Sequence, residues 1–84
     1  MNIYVGNLDF KVNEDDIKNI FEEYGKVSDI VVITDKFTGR SKGFGFVTME
    51  NQTEGKKAIE ELNGATYENR TIVVNEARPK KTDY

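Results

Sequence analysis

The sequence predicts a single α+β domain of element order β-α-β-β-α-β, a four-stranded antiparallel sheet with two helices on one face. Three observations predict it. Four short runs alternate apolar and polar residues with the period of a strand. Two segments carry apolar residues at helical spacing, each behind an asparagine suited to cap a helix. Each helical segment also lies between two strand runs, and right-handed crossovers then put both helices on the same side of the sheet.

The elements follow in chain order. Residues 2–6, Asn-Ile-Tyr-Val-Gly, are β-branched and aromatic with period two, a first strand. Asn13 and Asp16 have the spacing of a capping box, and Val12 and Ile17 that of a hydrophobic staple. Ile17, Ile20, Phe21 and Tyr24 form the apolar stripe of the first helix, with Gly25 expected at its C′ position. Residues 27–34 form a second strand, with Ile30 and Val32 on one face and Val31 and Ile33 on the other. A loop with a Thr-Gly turn signal spans 35–41, and residues 42–49 form a third strand. Asn51 and Glu54 start a second helix striped by Ala58, Ile59 and Leu62 and ended by Asn63-Gly64. Gly55 weakens its first turn. Residues 71–76 form the fourth strand, with Tyr67 packing in the connection before it. The domain is expected over residues 1–78, and the polar segment 79–84 is expected to fray.

The 84 residues suffice for one small domain, and 37% of them are hydrophobic, a modest core. Cysteine and histidine are absent, which excludes disulfides, a Cys/His zinc site and thiol or imidazole catalysis. No metal or cofactor is expected. No apolar run reaches the length of a membrane span and no signal-peptide pattern precedes the first strand, so a cytoplasmic protein is expected, with a monomer as the default.

The net charge of −3 argues at first against a nucleic-acid partner. Its distribution matters more. The two helical blocks, 14–26 and 50–62, hold nine of the fifteen acids and four of the twelve bases. The rest of the chain is mildly basic, with Lys36, Arg40 and Lys42 in one cluster and Arg78, Lys80 and Lys81 in another.

The third strand reads Ser-Lys-Gly-Phe-Gly-Phe-Val-Thr-Met over residues 41–49. Alternation sets Lys42, Phe44, Phe46 and Thr48 on one side and Gly43, Gly45, Val47 and Met49 on the other. Burying the first set would bury a lysine; burying the second buries no charge. Phe44 and Phe46 are therefore expected on the open face. In the first strand Ile3 and Val5 make the core pair, which turns Tyr4 outward as well. An exposed aromatic patch marks a binding site, and aromatic rings beside cations suit single-stranded nucleic acid, whose bases all offer a flat π-face. The glycines are expected to let a helix pack close beneath.

With these residues in view the chain is identified as resembling the RNA recognition motif (RRM) family, and within it the small single-RRM proteins of bacteria. Residues 3–8, Ile-Tyr-Val-Gly-Asn-Leu, resemble its RNP2 motif. Residues 42–49 match its RNP1 pattern at seven of eight positions, departing at Met49, which alternation turns into the core. The resemblance covers essentially the whole chain and implies the ferredoxin-like α/β plait. It also implies that Tyr4 and Phe46 each stack on a base, Phe44 packs against sugars and Lys42 meets a phosphate. Asn75, Ala77 and Arg78 at the end of the last strand, and Arg40 in the loop, complete the RNA-binding set it suggests. Single-stranded DNA stays open as an alternative ligand. Two rival readings are a protein-binding module of the same fold and a small acyl-phosphate hydrolase. The three retained aromatics disfavour the first. The want of a nucleophile–base pair disfavours the second, so a non-catalytic protein is expected.

Overall fold

The computed structural model describes residues 1–9, 11–34, 37–39 and 41–77, with the side chains of 34, 41 and 42 outside that description. The order is β1 (Asn2–Gly6), α1 (Glu14–Glu22), β2 (Val27–Thr34), β3 (Ser41–Met49), α2 (Gln52–Leu62), β4 (Thr66–Tyr67), β5 (Arg70–Thr71) and β6 (Val73–Ala77). Four strands form one sheet in the order β2-β3-β1-β6, and its three pairings are all antiparallel. This is the β-α-β-β-α-β plait expected from the sequence.

Local chemistry explains where the helices begin and end. The Asn13 side chain accepts from the backbone N–H of Asp16 at 2.9 Å, and the Asp16 carboxylate accepts from the backbone N–H of Asn13 at 3.1 Å. This reciprocal box contributes about 1 kcal/mol to the start of α1. Asn51 caps α2 through the backbone N–H of Glu54 at 3.0 Å. Gly64, at φ +86, takes the left-handed position that ends α2, and the Asn63 side chain accepts from the backbone N–H of Val74 on β6. The end of α1 differs from expectation. Glu23 is its C-cap, and a tightened turn follows in which the backbone N–H of Tyr24 donates to Phe21. Gly25 is not among the residues of positive φ; the Glu54 side chain lies where its Cβ would be.

One layer of apolar side chains joins sheet to helices. Ile3 and Val5 of β1, Val47 and Met49 of β3, and Val74 of β6 meet Ile17 and Phe21 of α1 and Ala58 and Leu62 of α2. Met49 is fully buried, so the family pattern's missing aromatic is replaced inside the core. Both helices therefore cover the same face, and the acidic residues they carry lie beyond it. No helix among the described residues is long and apolar enough to cross a membrane.

The last strand is shorter than expected. Thr71, expected as its first residue, lies outside it; residues 70–71 pair with residues 66–67 in a small hairpin whose turn, Glu68-Asn69, has positive φ at both positions. That double left-handed turn matches the twist of a two-residue hairpin. Tyr67, in β4, packs against the core, as expected.

The inner glycines of β3 have a different cause from the one expected. A Cβ on Gly45 would press on the backbone of β2, at the Val31 carbonyl oxygen and 3.1 Å from the Val32 Cα. A Cβ on Gly43 would come within 3.1 Å of the Leu8 carbonyl oxygen, and its φ of +88 favours glycine in any case. The close neighbours are strand and loop backbone, and neither is a helix.

Candidate nucleic-acid interface

The side of the sheet away from the helices carries the three predicted aromatics together. Tyr4 stands directly opposite Phe46 in the β1–β3 register. Ring centroids are 5.9 Å apart for Tyr4 and Phe46, 6.0 Å for Tyr4 and Phe44, and 6.4 Å for Phe44 and Phe46. Tyr4 and Phe44 lie 33° from parallel, and Phe46 meets Phe44 edge-on at 89°. Such tilted and edge-to-face pairs hold one another by about 0.5–1.5 kcal/mol each beyond area burial, so the cluster is ordered before any ligand arrives. The Tyr4 ring lies over Gly6, two residues along the same face, in space a Cβ would fill.

Register extends the cluster into a row across all four strands. Val31 pairs with Phe46, Phe46 with Tyr4, and Tyr4 with Asn75. Val31 is 44% exposed and Phe46 38%. Asn75 is exposed and Ala77 half-buried, both on the open face of β6. Lys42 lies in β3, but its side chain is outside the described residues, as are Arg40 and Arg78 entirely.

Three features escaped the sequence. Val31 and Val73 are apolar and exposed at opposite edges of the open face. A polar row runs beside the aromatic one: Asp29 pairs with Thr48, Thr48 with Asn2, and Asn2 with Ala77. And Asn7, at φ +58, is clasped from 63 residues away. Arg70 donates to its side-chain oxygen at 2.8 Å and to its carbonyl at 3.2 Å, while the Asn7 amide donates to the Thr71 carbonyl at 2.6 Å. The clasp ties the loop after β1 to the β4–β5 hairpin. The left-handed preference of asparagine was the available signal at Asn7, and Arg70 gave none.

Among the described residues one titratable group is clearly perturbed. Burial, then the Asp16 and Glu68 carboxylates, push the Tyr67 phenol above its ordinary value. It stands in the core-side hairpin, away from the aromatic row.

A sequence model of the RNA recognition motif family matches residues 3–73. The chain belongs to that family. One curated relative of this RRM, from Nostoc sp. (strain PCC 7120), bears the name "Putative RNA-binding protein RbpF"; it is 49% identical over 96% of this chain and 77% of its own length. The crystal structure of RNA binding protein PG1 is 49% identical, with a TM-score of 0.90 over 95% of this chain and 99% of that one. The Sxl-lethal protein/RNA complex is 33% identical, with a TM-score of 0.86 over 90% of this chain and 47% of that one. These RRM neighbours share the plait that presents the open sheet face.

Proposed function

We propose that this protein binds short single-stranded RNA by stacking bases on the open sheet face, without catalysing a reaction. The observation that carries the reading is the triangle of Tyr4, Phe44 and Phe46, preassembled on the face opposite the helices and uncovered among the described residues. In this reading Tyr4 and Phe46 each take a base and Phe44 lies against the sugars between them. Asn75 and Ala77 border the outgoing chain, and Lys42, Arg40 and Arg78 meet phosphates. The names of its relatives, RNA-binding proteins and a protein/RNA complex, support it.

Stacking contributes about 1–3 kcal/mol per base. Two or three contacts then amount to roughly 3–9 kcal/mol before ordering costs, against about 8 kcal/mol for a micromolar dissociation constant. The expected affinity is micromolar or weaker, for a segment on the order of two to four nucleotides. With few phosphates touched, affinity should fall gently with salt. Fluorescence anisotropy with a labelled short RNA across a salt series tests this. A steep slope, equivalent to about six or more released ions, would mean that charge and not stacking holds the RNA. The same oligonucleotide as DNA separates the two ligands, because only contacts to the 2′-hydroxyl distinguish them. A domain over 1–78 with a tail at 79–84, a monomeric state and a cytoplasmic location belong to the same proposal. Limited proteolysis, sedimentation and fractionation check them in turn.

A further inference from the structure

The residues that stop α2 are also a reactive pair. Of the eight asparagines in the chain, only Asn63 precedes a glycine. We propose that Asn63 is a deamidation site gated by the seam between α2 and β6, silent while the seam is closed and reactive when it opens. The inference is independent of the RNA reading.

The chemistry is intramolecular. The Gly64 backbone nitrogen, once its proton is removed, attacks the side-chain carbonyl carbon Cγ of Asn63. The new N–C bond closes a succinimide ring, and the Cγ–Nδ2 bond breaks as the amide nitrogen gains a proton and leaves as ammonia. Water then opens the ring. Cleavage at Cγ gives aspartate; cleavage at the backbone carbonyl gives isoaspartate, with the chain continuing through the side chain. One water is consumed and one ammonia released, with no oxidant or metal. Glycine favours the attack because it sets no side chain beside the nitrogen. The other asparagines precede Ile, Leu, Glu, Gln or Arg, all bulkier.

Hydrogen bonds, and not burial, protect the pair. Asn63 and Gly64 are both exposed, and beyond its chain neighbours nothing lies within 4 Å of where a Gly64 Cβ would stand. Water and hydroxide therefore reach them. The Gly64 N–H, however, donates to the Ile72 carbonyl at 2.9 Å, and the Asn63 side-chain oxygen accepts from the Val74 N–H at 3.0 Å. The first bond holds the proton that must leave. The second fixes the amide but also polarises its carbonyl, so the Ile72 bond is the controlling one. Ile72 and Val74 are anchored in the core, and the Ile72 N–H donates to the Ala65 carbonyl at 2.9 Å. The pair is freed only when the chain from Ile72 to Val74 lifts from the end of α2.

The two products differ in consequence. Aspartate keeps a side-chain oxygen for the Val74 N–H. Isoaspartate adds a methylene to the main chain and displaces that oxygen, so the seam does not reclose as before. Because β6 pairs with β1 at Asn75 and Tyr4, damage here loosens that edge of the sheet.

The test follows one proton in two ways. Amide exchange at Gly64 and attack by its nitrogen both need that N–H released from Ile72 and deprotonated, so the fold should slow both by the same factor. The whole chain is incubated at mildly alkaline pH, folded in buffer and unfolded in urea. Deamidation at Asn63 is followed by peptide mass and by an isoaspartyl-specific methyltransferase, and hydrogen exchange gives the Gly64 protection factor. In urea Asn63 should react faster than every other asparagine. In the folded chain its rate should be lower by the Gly64 protection factor, within about threefold. The isoaspartyl form should melt below the aspartyl form. Equal rates at Asn63 in the folded and unfolded chain would refute the gate. A folded rate about tenfold above the one set by Gly64 protection would mean reaction without opening, and would refute it too. If Asn63 in urea reacts no faster than the other asparagines, the site itself is wrong. An isoaspartyl form as stable as the aspartyl one would refute the part assigned to the Val74 bond.

Discussion

Replacing Gly45 by alanine tests why glycine and phenylalanine alternate in β3. Gly45 is buried on the inner side, opposite Val32 on β2 and Val5 on β1. The added methyl would overlap the Val31 carbonyl oxygen and stand 3.1 Å from the Val32 Cα. Both neighbours are backbone in the middle of a ladder, so no side chain can swing aside. Overpacking of this kind costs about 1–3 kcal/mol. Restricting the unfolded chain offsets about 0.4–1 kcal/mol of it. The net destabilisation should be about 1–2 kcal/mol, a fall in Tm of roughly 5–15 °C for a domain of this size. Thermal and urea unfolding followed by circular dichroism, without RNA, measure it. A variant as stable as the parent, or more so, would refute the claim that β2 backbone occupies that space.

The remaining predictions concern the sheet face and its supports. Phe46→Ala should weaken short-RNA binding by about ten- to a hundredfold, the scale of one lost stack, and should cost about 1–3 kcal/mol of stability through its two lost ring pairs; anisotropy and urea melts on the same variant separate the two. Arg70→Ala removes both bonds to Asn7 and should cost about 1 kcal/mol, with faster amide exchange at Asn7 and Leu8; Arg70→Lys should not restore protection, since an ammonium cannot present the two-pronged donor. For Tyr67 the folded state holds its proton more tightly than the unfolded chain, whose tyrosine titrates near 10. Stability should therefore be unaffected by this group below about pH 10 and should fall as pH rises from there through the folded value. Tyrosinate absorbance should show Tyr67 titrating above its ordinary value, and Asp16→Asn should bring it earlier.

Much of this was legible because it depends on local chemistry. The capping box at Asn13 and Asp16, the Asn63-Gly64 stop and the alternation in β1 and β3 each depend on a few adjacent residues, and each holds. Alternation also placed Tyr4, Phe44 and Phe46 on one face, because burying the other set costs no charge. Features that depend on distant chain were hidden. Arg70 reaches Asn7 across 63 positions. The row from Asp29 to Ala77 exists only once register is known. The Glu68-Asn69 turn was missed because glutamate is an unusual choice for a left-handed position, so Thr71 was joined to the strand that follows. Gly25 matched a helix-stop pattern that Glu23 and Tyr24 complete without it.

The central claim is that the uncovered sheet face is the RNA platform, and backbone amide shifts in the labelled protein titrated with a pool of short random RNA test it most directly. Shifts should concentrate on Tyr4, on Phe44 to Thr48 and on Asn75 to Ala77, and Phe46→Ala should remove most of them. Shifts confined to α1 and α2, with those strands unmoved at millimolar RNA, would contradict it and turn attention to a protein partner on the helical side.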